Sequence, residues 1–226
     1  MKPFTFIDIP KTATTSIHQC LESIYDDYTQ PILGSNDNIR HKSLQHRFQN
    51  DQNISNTYIF TVVRNPWSRF VSMWKYLHMI KRVVETSPEK KKKHGRHGAA
   101  CVKYLSSVND FDTHVERVYM HARFPTDLNR RPVPPIGWID GKDLQLQKSM
   151  LVLNSAPDTI AVDFTLKYES LKQGWRQLCK NLEIPFSPLP KFNLSHDKTP
   201  WHEFYTHRTR AIVRDLYLDD FITFGY

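Results

Sequence analysis

One stretch of the sequence decides the fold class: Tyr58-Ile59-Phe60-Thr61-Val62-Val63-Arg64-Asn65-Pro66-Trp67. Its first six residues are all β-branched or aromatic, which is typical of a buried strand. Asn65 is a favourable N-cap and Pro66 a favourable first helical residue, so the strand passes directly into a helix. We expect that helix to place Phe70 and Trp74 on one buried face.

A second strand–turn–helix unit opens the chain. Residues 4–9 predict a short strand, residues 10–14 break it, and apolar residues at helical spacing predict a helix that starts near Thr14 or Thr15. Two such units are typical of an α/β fold in which helices cover a parallel sheet. The sequence therefore predicts a three-layer α/β architecture with a mostly parallel sheet.

The rest of the chain continues this pattern without an internal repeat or a domain linker. We expect a single domain over residues 1–226, with a variable basic and proline-rich insertion at about residues 82–140. The predicted elements are a basic loop at 85–98, a helix at 110–121, a loop at 124–141, a strand at 159–164, a helix from 171 that Pro185 closes, a proline-rich loop at 186–200 and a last helix at 203–218.

Composition limits the classes of partner and compartment. Lys and Arg number 31 against 23 Asp and Glu, and the net charge of +8 favours an anionic partner such as a nucleotide or an acidic glycan. No G-x-G-x-x-G or G-x-x-x-x-G-K-[ST] pattern occurs, which argues against dinucleotide dehydrogenases and Walker-type ATPases. Three widely spaced cysteines suit a reducing compartment. Since no signal peptide or long apolar run is found, we expect a cytoplasmic protein without a membrane span.

The turn after the first strand is a candidate anion site. It reads Ile9-Pro10-Lys11-Thr12-Ala13-Thr14-Thr15-Ser16. A helix N-terminus presents unpaired backbone N–H groups, and here a lysine and several hydroxyl groups add to them. The residues alone equally allow a threonine-capped helix with an exposed lysine.

The turn after the second strand is a second candidate. Arg64 ends its strand at the carboxyl edge of the sheet, where open α/β folds bind ligands. Ser68, Ser72 and Lys75 share one face of the following helix. A guanidinium and a hydroxyl suit a phosphate monoester, although a solvated helix face with a structural arginine explains the same residues.

Taken together, the two segments resemble the nucleotide-binding motifs of the sulfotransferases that use 3′-phosphoadenosine 5′-phosphosulfate (PAPS). Residues 9–16 are similar to the family's 5′-phosphosulfate loop. Residues 61–72 are similar to its 3′-phosphate motif, an arginine after a strand and a serine eight residues later. Further segments are similar to the carbohydrate-type branch, which includes heparan and chondroitin sulfotransferases and bacterial relatives: 162–164, 168–171, 193–195, 205–206 and 224–226.

This resemblance implies a fold like that of the P-loop kinases and transfer of a sulfuryl group from PAPS to an acceptor hydroxyl. It also implies that the product is adenosine 3′,5′-bisphosphate and that no metal is required. Glycine is usual in the family where Ala13 stands, so a positive φ there would cost strain and weaken cofactor binding. The implied PAPS-binding residues are Lys11, Thr12, Ala13, Thr14, Thr15 and Ser16 at the 5′ end and Arg64 and Ser72 at the 3′ end, with Lys11 also catalytic.

The acceptor hydroxyl requires a general base, and histidine has a suitable pKa. His41, in Arg40-His41-Lys42-Ser43, occupies the segment in which the carbohydrate-type branch places its catalytic histidine. We take His41 as the base and His46 as the second candidate, although an exposed loop histidine without a role is the simpler alternative. His202 and His207 are five residues apart, which disfavours a helical zinc site.

We expect a carbohydrate acceptor, and the positive charge allows an anionic one. The run Lys90–Lys93 contains no aromatic residue that could stack on a base, so nucleic acid is not an expected partner. The run either steers an anionic acceptor or is a solvated segment. Two other functions remain open, a catalytically silent nucleotide-binding protein and a kinase of related fold. Residues 82–140 lie outside the resemblance, and we expect them to shape the choice of acceptor.

Overall fold

The computed structural model describes residues 2–24, 41–50, 53–123, 145–192 and 197–226. The predicted loop at 124–141 and the segment at 193–195 lie outside these residues. The strands are β1 (Phe4–Ile7), β2 (Tyr58–Val63) and β3 (Phe164–Lys167), and the helices are α1 (Thr14–Ile24), α2 (Leu44–Asn50), α3 (Pro66–Thr86), α4 (Pro88–Leu105), α5 (Phe111–Arg123), α6 (Leu171–Leu182), α7 (His207–Leu216) and α8 (Leu218–Phe224).

The three strands form one parallel sheet in the order β1–β2–β3. The register pairs Phe60 of β2 with Phe6 of β1 and with Phe164 of β3. Because all strands run the same way, the residues that follow them emerge at one edge of the sheet. The chain therefore brings residues 8, 64 and 168 to this edge, and the α/β prediction is confirmed.

Helices α1 and α6 share a hydrophobic core with the sheet. Nearly every residue of β1 and β2 is buried, as expected for a parallel sheet covered on both faces. Among the described residues, the largest fully buried side chain is Trp175 of α6, whose indole N–H donates to the Ser187 carbonyl at 2.8 Å. The core cluster consists of Phe4, Phe6, Ile17, Cys20, Leu21, Phe60, Val62, Leu166, Trp175, Leu178, Cys179, Leu182 and Ile184.

The chain forms two compact units. The first, which contains the sheet, comprises Met1–Asn65, Gln145–Leu194 and Thr223–Gly225. The second comprises Pro66–Leu144, Ser195–Ile222 and Tyr226. Within the second unit α3 packs against α4 and α7, and α5 packs against α7.

Two predictions for the second unit are wrong: the basic loop at 85–98 and the single helix at 203–218. Residues 85–98 are helical rather than a loop, because α3 extends to Thr86 and α4 begins at Pro88. Proline suits a first helical turn and lysine is a good helix former, so charge was a poor guide to backbone structure here. Gly95 interrupts α4 with φ 49° and ψ −133°.

The single helix predicted at 203–218 is two helices. Thr206 caps α7, since its hydroxyl accepts the backbone N–H of Thr209 at 3.2 Å and so defines a start at His207. The backbone departs from helical geometry at Tyr217, where φ is −117° and ψ is 25°, and α8 follows. Of the residues that helical spacing predicts to face inward, Val213 and Tyr217 are buried, whereas Ile212 and Leu216 are half-buried.

The predicted third strand is displaced along the chain. Pairing with β2 begins only at Phe164, and residues 159–163 are not a strand. Asp163 explains the boundary, because its N–H donates to the Ile59 carbonyl at 2.8 Å and its carboxylate accepts the Ile59 N–H at 2.6 Å. A side-chain oxygen thus replaces the backbone acceptor that a longer strand would supply.

Candidate active site

The turn between β1 and α1 is built around the Ile9 carbonyl. The hydroxyls of Thr12 and Thr14 both donate to this oxygen, at 2.8 and 2.9 Å, and both residues are buried. Because both hydroxyls donate hydrogen bonds within the loop, they cannot donate to a ligand in this arrangement. A bound anion would instead meet backbone N–H groups of the first turn of α1, which an α-helix does not use internally.

Two non-glycine residues of the loop have left-handed backbone conformations. Lys11 has φ 68° and Ala13 has φ 70°. Side chains with a Cβ rarely adopt this region because of steric crowding. Position 13 thus has a positive φ, the condition under which an alanine there is strained.

Arg64 is held on several sides at the end of β2. One guanidinium nitrogen, Nη1, donates to the Lys11 carbonyl at 3.1 Å, which ties the arginine to the loop after β1. The guanidinium also lies 4.0 Å from the ring centroid of Tyr168, at the end of β3. The buried Gln147 amide accepts the Arg64 N–H at 2.8 Å and donates to its carbonyl at 2.9 Å.

His41 lies beside the end of β1. Its backbone N–H donates to Oδ1 of Asp8 at 3.0 Å, and its ring Nδ1 is 3.0 Å from the Asp8 carbonyl oxygen and 3.3 Å from Oδ2. The His41 side chain is 30% exposed, so its ring remains accessible. Asp8 thus joins the candidate base, His41, to the strand that leads into the candidate anion-binding turn at residues 9–16.

A second histidine lies on the other side of the same carboxylate. Nε2 of His18, on α1, is 3.6 Å from Oδ2 of Asp8, which is too long for a good hydrogen bond and makes the contact electrostatic. Asp8 and His18 are both buried. Burial by itself raises the pKa of the Asp8 carboxyl, but His18, His41 and the His41 backbone N–H outweigh it and hold that pKa below its ordinary value.

The other predicted residues are found on α2 and α3. His46 is exposed on α2, with its N–H 3.3 Å from the Ser43 hydroxyl. Ser72 is half-buried on α3 in the second unit, so its pairing with Arg64 stays a prediction. Ser68 is buried rather than on a solvated face. Lys75 donates to the carbonyls of residues 197 and 199 at 3.1 and 2.7 Å.

His202 and His207 do not share a helix, because His202 lies in a 3₁₀ turn at Trp201–Phe204 and His207 begins α7. In the part of the chain that the structure describes, no three His, Cys, Asp or Glu side chains are grouped as a metal ion would require. No helix in that part has the length and apolar character needed to cross a membrane.

Sequence reasoning missed several residues that build the site. Asp8 offered a clue, since a carboxylate inside the apolar run Phe6-Ile7-Asp8-Ile9 must find a partner when it is buried. Gln147 lies in no recognisable pattern, and only the folded chain brings it to Arg64. Tyr168 belongs to a segment noted for its family resemblance, but its contact with Arg64 could not be read from spacing.

Comparison with known protein families identifies the family of the chain. Neither a search of curated proteins nor one of solved structures returned a match. A model described as the sulfotransferase family matches residues 2–226, nearly the whole length. The chain, with its loop after β1 and its arginine after β2, thus belongs to the sulfotransferase family.

Proposed function

We propose that this sulfotransferase uses PAPS as its donor and transfers the sulfuryl group to a hydroxyl of a carbohydrate. The observation that carries the proposal is the hydrogen bond from Arg64 to the Lys11 carbonyl, which links the two candidate phosphate-binding turns at one sheet edge. Two cationic side chains and a helix N-terminus there suit a nucleotide with phosphate groups at both ends. Arg64 and Ser72 would bind the 3′-phosphate and so select PAPS over ATP-like donors.

The proposed reaction is an in-line displacement at sulfur. His41 takes the proton of the acceptor hydroxyl as that oxygen attacks the sulfur atom. The bond between sulfur and the bridging phosphate oxygen breaks, and adenosine 3′,5′-bisphosphate leaves with the electron pair. Lys11 and the backbone amides of Thr12–Ser16 stabilise the negative charge that grows on the phosphate. The contacts of His41 with Asp8 support His41 over the exposed His46 as the base.

An anionic acceptor is supported by a groove in the first unit. The groove has a volume of about 830 Å³ and runs along β3 and α6. Four cationic side chains line it, against one carboxylate, Glu169: Lys167, Lys172, Arg176 and Lys180. Such a surface attracts an acidic glycan more than a neutral one. We also propose a cytoplasmic location, because all three cysteines are free and buried, as in proteins of reducing compartments.

Turnover of ³⁵S-labelled PAPS tests the proposal. The purified chain should transfer label to an acidic or a neutral glycan from a panel that also contains phenols and lipids. Binding of adenosine 3′,5′-bisphosphate without transfer to any acceptor would favour a silent nucleotide-binding protein. Phosphoryl transfer from ATP, with no sulfuryl transfer, would favour a kinase. Transfer of label to a phenol but to no glycan would contradict the proposed carbohydrate acceptor, while PAPS would remain the donor.

A further inference from the structure

We infer that Asp8 is a positioning residue for His41. Its backbone carbonyl selects the tautomer of the imidazole, and its carboxylate holds the His41 backbone and stabilises the protonated ring. The inference rests on the proposed function, in which His41 accepts the proton of the acceptor hydroxyl. It gives a role to a buried carboxylate that the nucleotide-binding turns do not require.

The tautomer follows from the groups around Nδ1 of His41. The Asp8 carbonyl oxygen lies 3.0 Å from Nδ1, and Oδ2 of Asp8 lies 3.3 Å from it. A carbonyl and an ionised carboxylate can only accept, so Nδ1 must carry the hydrogen. Nε2 then keeps its lone pair and is the ring atom that can take a proton from the acceptor.

The carboxylate is placed to stabilise the imidazolium that forms when Nε2 accepts the proton. His41 and His18 together outweigh the burial that raises the pKa of Asp8, so Asp8 is ionised near neutral pH. The titratable groups that face it are His18 from α1 and His41 from the segment before α2. Asp8 is 1% exposed, so water screens its attraction to a protonated His41 only weakly.

The same carboxylate fixes the backbone that carries the ring. His41 has φ 56°, in the left-handed region, and its N–H donates to Oδ1 of Asp8 at 3.0 Å. This charge-assisted hydrogen bond offsets the cost of the conformation. The purely structural alternative is that Asp8 only anchors this segment to β1 and has no effect on the chemistry of the ring.

Asp8→Asn separates the two roles. Asparagine keeps the size of the side chain, an oxygen for the His41 N–H and the backbone carbonyl, but it removes the charge. We expect kcat to fall by roughly 10–100-fold, which is less than the full share of a general base, with nucleotide affinity unchanged. An unchanged kcat would overturn the inference.

A double-mutant cycle tests whether Asp8 acts through His41. If it does, Asp8→Asn should change the residual activity of His41→Ala by less than about twofold, because the group on which it acts is gone. An equal loss in both backgrounds would mean that Asp8 acts independently of His41. Melting temperatures of all variants are measured alongside, so that a folding defect is not read as a catalytic one.

Nuclear magnetic resonance of the wild-type protein gives a readout that needs neither turnover nor a folded variant. With ¹⁵N-labelled histidine, the neutral ring of His41 should show the Nδ1–H tautomer. An Nε2–H tautomer would overturn the inference even if sulfuryl transfer is observed. Absence of transfer from PAPS, together with an Nδ1–H ring, would contradict the proposed function and leave the Asp8–His41 contact intact.

Discussion

Ala13 occupies a backbone conformation that glycine adopts without steric cost. Its φ of 70° lies in the left-handed region, and Lys11 two residues earlier has φ 68°. The two threonine hydroxyls on the Ile9 carbonyl hold the chain in this shape despite the strain. The loop thus keeps a left-handed residue at position 13, with an alanine where the family resemblance predicts glycine.

Ala13→Gly should stabilise the protein. Relief of about 1–2 kcal/mol of left-handed strain is partly cancelled by the greater chain entropy of unfolded glycine, which leaves a net gain of about 0.5–1 kcal/mol. Calorimetry should show a melting temperature about 1–4 °C higher. Ala211→Gly, at an exposed position inside α7, is the matched control and should lower the melting temperature. A lower melting temperature for Ala13→Gly would contradict the strain argument.

Arg64→Ala should weaken binding of adenosine 3′,5′-bisphosphate at least tenfold, since a hydrogen bond to a charged group contributes about 1.5–3 kcal/mol. AMP, which has no 3′-phosphate, should lose much less affinity. Titration calorimetry with both nucleotides measures the difference. Arg214→Ala removes the same charge from an exposed position on α7 and serves as the control. Equal losses for both nucleotides would mean that Arg64 acts only by holding the Lys11 carbonyl.

Lys11→Ala and His41→Ala should fail at different steps. Without His41, nucleotide affinity should persist while kcat falls by about 10²–10⁴, the usual contribution of a general base. Without Lys11, nucleotide affinity and kcat should fall together, because its charge acts on the bound phosphate as well as on the leaving group. Single-turnover kinetics with calorimetric affinities separate the two. Near-normal turnover of His41→Ala would shift attention to His46.

At the scale of elements, the junction between β2 and α3 depends on segments from far along the chain. The Arg64 backbone pairs with Gln147, and the Asn65 N–H donates to the Glu169 carboxylate at 2.9 Å. Backbone groups that leave a sheet edge need such partners, because the strand ladder no longer satisfies them. The geometry of the second candidate turn is therefore set by side chains more than 80 residues away.

Gln147→Leu should destabilise the protein by about 2–4 kcal/mol. It leaves both the N–H and the carbonyl of Arg64 without this partner in a site where Gln147 is fully buried. Urea denaturation measures the free energy of unfolding. Gln177→Leu, which removes an exposed amide paired with Asn181 on α6, should cost only a few tenths of a kcal/mol. Similar losses in both variants would show that the Gln147 clamp contributes little.

At the scale of the whole molecule, a fully buried histidine in the second unit couples stability to pH. His114 is enclosed by Phe70, Trp74 and Phe111, and its Nδ1 lies 2.6 Å from the Tyr104 hydroxyl. Burial, aided by nearby positive charge, lowers the pKa of His114 to about 3. The folded protein keeps this ring neutral at pH values where the unfolded chain protonates it.

The free energy of unfolding should therefore decrease as pH falls below about 6.5. Between pH 7 and pH 5, His114 alone should account for a loss of about 2 kcal/mol, because the unfolded chain binds a proton that the folded state excludes. Denaturation at several pH values should show this slope in the wild type and a smaller one in His114→Gln. His202→Gln, at an exposed histidine, should keep the wild-type slope. An unchanged slope in His114→Gln would contradict the assignment.

The sequence by itself determined the elements whose patterns are local. β2 and the start of α1 were predicted to the residue or nearly so. The α/β class followed from two strand–turn–helix units, and the sulfotransferase family from the resemblance of their turns to known motifs. The predictions from sequence were wrong where contacts between distant residues set the bounds of an element. The start of β3 depends on the pairing of Asp163 with Ile59, which no local pattern reveals.

Only the tertiary structure decided which side chains meet at the sheet edge. The carboxyl ends of parallel strands lie at this edge, where residue 8 meets residue 41 and residue 64 meets residue 147 across long stretches of sequence. Spacing within one motif predicts what lies on one helix face or in one turn, but it carries no information about contacts between segments. The Asp8 carboxylate beside His41 and the Gln147 amide on Arg64 are therefore products of chain folding.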